Sequence, residues 1–142
     1  MIRGFLVDVS FGLESGTPLL FLYGRSEDGR PFLIRERRFR PYFFVPASSA
    51  AALPAAQVRP TSLRTLLGEP VVRIEGTQPA VHSQLAESLE QKGVRCFESD
   101  LRYSSRFLMD RGLRGLVGID GPFREQRTLR VFEDPALSTV HI

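Results

Sequence analysis

A chain of 142 residues, 42% hydrophobic and 25% charged, can bury a core of its own and needs neither a disulfide nor a metal to fold. No apolar run reaches the roughly 18 residues of a membrane span, and Met1 to Val9 lacks the charged and long apolar regions of a secretory signal. The net charge of +3 rests on 19 basic residues, of which Lys92 is the only lysine. That balance suits a polyanion partner, through counterion release and the planar arginine fork, but on charge alone an ordinary solvated surface is the simpler reading.

Residues 2 to 45 read as antiparallel strands. In the first, Phe5, Val7, Val9 and Phe11 alternate with Gly4, Leu6, Asp8 and Ser10, the period of two that lines one sheet face. Glu14 to Pro18 is a turn, Leu19 to Tyr23 an apolar strand, and Ser26 to Arg30 a turn in which Asp28-Gly29 supplies positive φ. A third strand covers Phe32 to Arg38, and Phe39 to Pro46 is an aromatic strand bracketed by prolines. Ala47 to Gln57, interrupted by Pro54, reads either as a short broken helix or as a tether. Thr61 or Ser62 caps a short helix through Leu67, ended by Gly68.

Pro70 to Glu75 is a strand with Val72 and Ile74 on one face. A helix follows from about Pro79 to Lys92, where Val81, Leu85 and Leu89 recur every four residues. Thr77 is its expected cap, Pro79 suits its first turn and Gly93 its stop. Val94 to Ser99 returns as a strand, giving a β-α-β unit of the ferredoxin-like kind. A second helix spans Arg102 to Arg111, stopped by Gly112. Glycines 112, 115, 118 and 121 punctuate a strand-and-turn region, and Thr128 to Phe132 is a last strand, with no tidy closing element before Ile142. The expected class is α+β: an antiparallel, barrel-like sheet joined to a ferredoxin-like β-α-β lobe. The strand-rich lobe takes about 1–46 plus 114–135, and the second lobe about 47–113.

Catalytic signals are sparse. The lone Cys96 excludes an internal disulfide, fits a reducing cytoplasm and reads as a packed strand position. With His82 and His141 it makes no convincing four-ligand zinc site. The glycines precede no Gly-Lys-Ser/Thr, so a phosphate-binding P-loop is not supported. Asp8, Asp100, Asp110, Asp120 and Asp134 are scattered singly, as turn and surface residues are.

An ordered set of segments resembles one family. Phe39-Arg40-Pro41-Tyr42 closing the strand-rich start, then Leu67-Gly68-Glu69-Pro70-Val71-Val72, the helix behind it, and Phe97-Glu98-Ser99-Asp100 follow the order seen in archaeal family B DNA polymerases. Ser105 to Leu113 is similar to that family's Arg-aromatic-Leu-x-Asp-Lys-Gly-Leu element, and Gly93 to Gly121 also resembles bacterial DNA polymerase II, a relative within family B. The resemblance implies an amino-terminal, template-binding domain. The family's polymerase aspartates and its exonuclease Asp-x-Glu motif lie beyond such a segment, and neither occurs here. It therefore implies that this chain alone is not an enzyme and holds no cofactor, Mg²⁺ belonging to the full polymerase.

The resemblance also implies a pocket that captures template uracil, carried here by Phe11, Pro41, Tyr42, Pro79, His82 and Tyr103. A flipped pyrimidine needs a flat apolar slot and polar groups for its Watson–Crick edge. Two positions depart from the family: Phe11 stands where tyrosine is usual, and His82 where a small valine is usual. For His82 a place flanking the helix's apolar face is the simpler reading, and for Pro41, Tyr42 and Tyr103 core packing stands level with the pocket. Arg102 and Arg106, four apart beside Tyr103, with Arg40 next to Pro41, suit a single-strand groove of charge and rings, or a solvated helix face with an Arg106–Asp110 pair. Expected partners are single-stranded template DNA and the exonuclease and palm domains of the same polymerase, with no membrane and a monomeric chain. The alternative is a free-standing protein-interaction module derived from such a domain.

Overall fold

A computed structural model describes residues 1–140, so His141 lies outside the described residues. The chain divides into two compact units, Met1–Phe39 together with the chain from Arg102 onward, and Arg40–Leu101. The breaks thus fall at 39/40 and 101/102, where the sequence reading drew its lobes at about 46 and 113.

The first unit is built on a strongly curled half-barrel sheet. Its strands are β1 (Ile2–Glu14), β2 (Thr17–Ser26), β3 (Pro31–Glu36), β7 (Leu116–Asp120), β8 (Phe123–Gln126), β9 (Leu129–Glu133) and β10 (Ala136–Thr139), in the order β10-β7-β1-β2-β3-β9-β8. All neighbours are antiparallel except β3 and β9, which run parallel. A parallel pair needs a long crossover, and here the entire second unit lies between its strands in sequence. Strand β10 closes the far edge beyond β7, where the sequence suggested no closing element.

Periodicity works in β2 and β3, where Leu20, Leu22, Gly24 and Phe32, Ile34, Glu36 point inward on alternate residues. It fails in β1. A bulge between Leu6 and Asp8 inserts Val7 and resets the alternation, so Phe5 before it lies opposite exposed Arg25, while Val9 and Phe11 after it lie opposite inward Leu22 and Leu20, with Phe11 still half exposed. Beside the bulge the strands approach so closely that a Cβ on Gly24 would sit 2.0 Å from the Phe5 carbonyl oxygen. The core gathers Leu20, Leu22, Phe32, Ile34, Val117, Ile119, Val131 and Phe132 from the sheet. Helix α2 (Tyr103–Asp110) adds Tyr103 and Phe107. Each such side chain contributes roughly 1.5–3 kcal/mol when fully buried.

Charge ties the parallel seam. Arg35 and Arg37 of the β3 end both bridge to Glu133 on β9 and to Glu14 on β1. Buried Glu36 is met by the Arg38 fork at 3.0 and 2.8 Å and by the Arg38 backbone N–H at 3.1 Å. A carboxylate taken from water needs that number of partners.

The second unit has a three-stranded antiparallel sheet in the order β4 (Tyr42–Pro46), β6 (Pro70–Glu75), β5 (Val58–Arg64), with helix α1 (Pro79–Gln91). Its core is Phe43, Val45, Leu53, Ile74, Ala86 and Leu89, with Val58, Val72, Leu85, Val94 and Cys96 packed against it. Ala47–Ala52 and Ala55–Gln57 are two 3-10 turns either side of the interrupting proline.

Four local expectations are corrected. The helix expected from Thr61 to Leu67 is absent: β5 runs through Arg64, paired to β6 with an irregularity between Pro60 and Arg64. The Thr61 hydroxyl donates to the Val71 carbonyl rather than capping a helix. The cap of α1 is Gln78, not Thr77, and makes no side-chain bond. Its buried stripe is His82, Ala86 and Leu89, while Val81 is exposed, so the inward face is rotated one residue from that expected. The returning strand shrinks to a single antiparallel bridge of Phe97 with Phe44. Since β4 is antiparallel to β6, Phe97 runs parallel to β6 with one strand between, so the split β-α-β connection persists with minimal pairing.

Candidate nucleic-acid interface

The candidate residues divide between the units. Phe11, Arg102, Tyr103 and Arg106 belong to the first, and Arg40, Pro41, Tyr42, Pro79 and His82 to the second.

In the first unit, the Phe11 ring on β1 is half exposed and meets Tyr103 edge-on, with centroids 5.5 Å apart. Tyr103 is buried, its hydroxyl donates to the Phe39 carbonyl, and its ring lies 5.3 Å from that of Phe39, which in turn meets Phe107. The result is a fixed aromatic stack with one ring, Phe11, open to solvent. Arg106 is buried, 4% exposed, so the expected two-arginine face is reduced to Arg102, which precedes α2 and is exposed. Arg102 instead shares a cleft of about 430 Å³ with Leu6 to Val9 of β1 and with Ser104, Ser105, Leu108, Leu113, Arg114 and Gly115. Of these, Asp8, Ser104 and Arg114 had no motif to mark them; only the fold brings β1 against α2.

In the second unit, His82 is a fastening between α1 and β6. Its Nε2–H donates to the Ile74 carbonyl at 2.8 Å, and its ring lies 4.6 Å from that of Phe43. Burial, opposed by that hydrogen bond, holds the imidazole below its usual pKa and favours the neutral ring. Pro41 is buried, and its carbonyl accepts from Gly76 N–H at 2.9 Å. Tyr42 is half-buried, edge-on to Phe44, with the Arg73 guanidinium 5.0 Å from its ring centre. Pro79 opens α1 as its first residue. Burial, reinforced by Glu90, pushes the Cys96 thiol up to about 11, so it carries no reactive thiolate at neutral pH. No group of three or more His, Cys, Asp or Glu side chains is placed to hold a metal among the described residues. No helix among them is long and apolar enough to cross a membrane.

A second concavity, of about 670 Å³, lies wholly in this unit. It is lined by Phe44, Val71 and Phe97 and by the turn carrying Leu63, Leu66 and Leu67, the last two almost fully exposed.

No protein-family model matches the chain. Over 123 residues, 74% of the chain, it is 30% identical to DNA polymerase 2 of Aeropyrum pernix. Over 128 residues, 78% of the chain, it is 25% identical to DNA polymerase 3 of Saccharolobus solfataricus. The fold matches, across 99% of the chain with a TM-score of 0.80 and 23% identity, the family B DNA polymerase of the hyperthermophilic archaeon Pyrobaculum calidifontis. The chain is a relative of the amino-terminal domain of family B DNA polymerases. It spans only 15–16% of the curated relatives and 20% of the solved family B polymerase. Within the family B frame, the exposed Phe11 on its aromatic stack and the cleft beside Arg102 are the features of the first unit open to a ligand. Tyr103, Arg106, Pro41 and His82 are, by burial, supports behind a surface rather than the surface itself.

Proposed function

We propose that this chain is the non-catalytic, template-binding amino-terminal portion of a family B DNA-directed DNA polymerase. The observation that carries the reading is its likeness, over about three quarters of its length, to a small fraction of two archaeal DNA polymerases. The positive charge and the half-exposed Phe11 ring support it, since single-strand grooves pair cationic side chains with rings on which bases stack. Chemistry and Mg²⁺ belong to the rest of such a polymerase, whose exonuclease and palm domains are the proposed partners of this monomeric, cytoplasmic portion.

The reading includes a base-sensing pocket altered at His82. That imidazole spends its Nε2–H on the Ile74 carbonyl and packs its ring on Phe43, and it is bulkier than valine, so it fills space that a flipped base needs. Discrimination between uracil and thymine is accordingly weak. Fluorescence anisotropy with short single-stranded oligonucleotides differing in one uracil or thymine, over a salt series, tests both parts. Equal, salt-sensitive binding is expected. Tighter uracil binding that is lost in Tyr103→Ala would restore full sensing, and no binding even at low salt would overturn template binding.

A second reading, a free-standing protein-interaction module, draws on the exposed Leu63, Leu66 and Leu67 beside the apolar groove. A reading frame that runs past Ile142 into an exonuclease motif removes it.

A further inference from the structure

Most arginines of the chain are neutralised where they stand. Arg3, Arg30, Arg35, Arg37, Arg38, Arg59, Arg73, Arg95, Arg124 and Arg130 all bridge to carboxylates. Arg102 and Arg114 stand apart from that network: both are exposed, both line the cleft between β1 and α2, and neither bridges to a carboxylate among the described residues. The Ser104 and Ser105 hydroxyls line the same cleft. Leu6, Val7, Val9, Leu108 and Leu113 give it apolar walls, and Asp8 supplies a single carboxylate that forms no ion pair among the described residues. At about 430 Å³ the cleft falls within the range of small-ligand sites.

We infer that this cleft holds one nucleotide of a single strand. Arg102 and Arg114, helped by the serine hydroxyls, take the phosphate. The apolar walls take sugar and base face. Asp8 has no place in a site made for phosphate alone, since it repels one, but a carboxylate accepts hydrogen bonds from the amino group of a base, as with cytosine N4. The cleft therefore prefers an amino-bearing base to thymine. The inference rests on the template-binding reading and names a site for it that is independent of the Phe11 stack and of His82.

The test is anisotropy with oligo(dC) and oligo(dT) over a salt series, on the wild-type chain and on three variants. Arg102→Gln/Arg114→Gln removes two phosphate contacts, so its salt slope is expected to fall by about 1.4, at about 0.7 per contact for single strands. Arg127→Gln/Lys92→Gln makes the same charge change away from the cleft and is expected to keep the wild-type slope. Asp8→Asn is expected to bind oligo(dT) more tightly and to lose the preference for oligo(dC). If both double variants weaken binding equally, or if the wild type shows no dC preference for Asp8→Asn to remove, the cleft is not the site while template binding stands. No wild-type binding to either oligonucleotide overturns both.

Discussion

The space above Gly76 is filled by His82: a Cβ there would lie 2.4 Å from Nδ1 and 2.8 Å from Cγ. The glycine and the histidine are thus one device, a bare backbone that admits a ring, and a ring whose Nε2–H reaches the Ile74 carbonyl at 2.8 Å. Replacing His82 by valine removes this buried hydrogen bond, a net loss of roughly 0.5–1.5 kcal/mol. It also changes the pH response. Because the folded pKa is depressed, the unfolded chain takes the proton first, so the histidine's contribution is whole above about pH 6.5 and is lost as pH falls toward the lower folded value. Urea unfolding across pH 5 to 8 is expected to show a decline below about 6.5 in the wild type and none of that component in His82→Val. An unchanged decline would place its origin elsewhere. None of this was legible in the sequence: a histidine one position off an apolar stripe reads as a flank. What decides its burial is a gap at Gly76, six residues earlier, just past the end of β6.

At the scale of elements, the parallel pairing of β3 with β9 gathers three arginines, Arg35, Arg37 and Arg124, on one carboxylate, Glu133. Burial alone would raise Glu133, but hydrogen bonds from Arg124 and Arg37 and the charge of Arg35 outweigh it and hold the group at about 2. The seam's electrostatic support is therefore present above the ordinary glutamate pKa and is lost as pH falls from about 4.3 toward 2. With one third of the side chain still in contact with water, Glu133→Gln is expected to cost roughly 1 kcal/mol at neutral pH. Its denaturation midpoint is expected to converge on the wild type at the acid end, and a constant gap down to pH 2 would argue against the ion network. The elements that the sequence announced were those with local cues. Alternation marks β2 and β3, a bounded apolar run marks β6, and proline and glycine bracket α1. The elements it mistook are those decided by partners. Val58 to Arg64 carries helix-like capping residues yet becomes a strand because β6 offers it an edge, and the bulge at Val7 is invisible until β2 is laid beside β1. Of the candidate site, the aromatic members were legible as residue types, but their sorting into exposed Phe11 and buried Tyr103 was not.

For the molecule as a whole, the two units differ in how they use the chain. The second is one continuous stretch, Arg40–Leu101, with its own core of Phe43, Val45, Leu53, Ile74, Ala86 and Leu89. A segment of this size is near the lower limit of independent folding. Residues 40–101 alone are expected to give helical circular dichroism and a cooperative urea transition, abolished by Ile74→Ala, a truncation that costs about 2–5 kcal/mol in a packed core. A featureless spectrum for the fragment would show that the unit borrows its stability. The first unit is discontinuous, and its seam joins residues far apart: the Arg35–Glu133 bond spans 98 positions. As the ribosome delivers the chain, β3 emerges with β2 already at one flank and nothing at the other. It must keep that flank bare until β9 has been made, after the whole inserted unit. The inserted unit, complete by Leu101, can settle while the first unit's sheet is still waiting for its last strands.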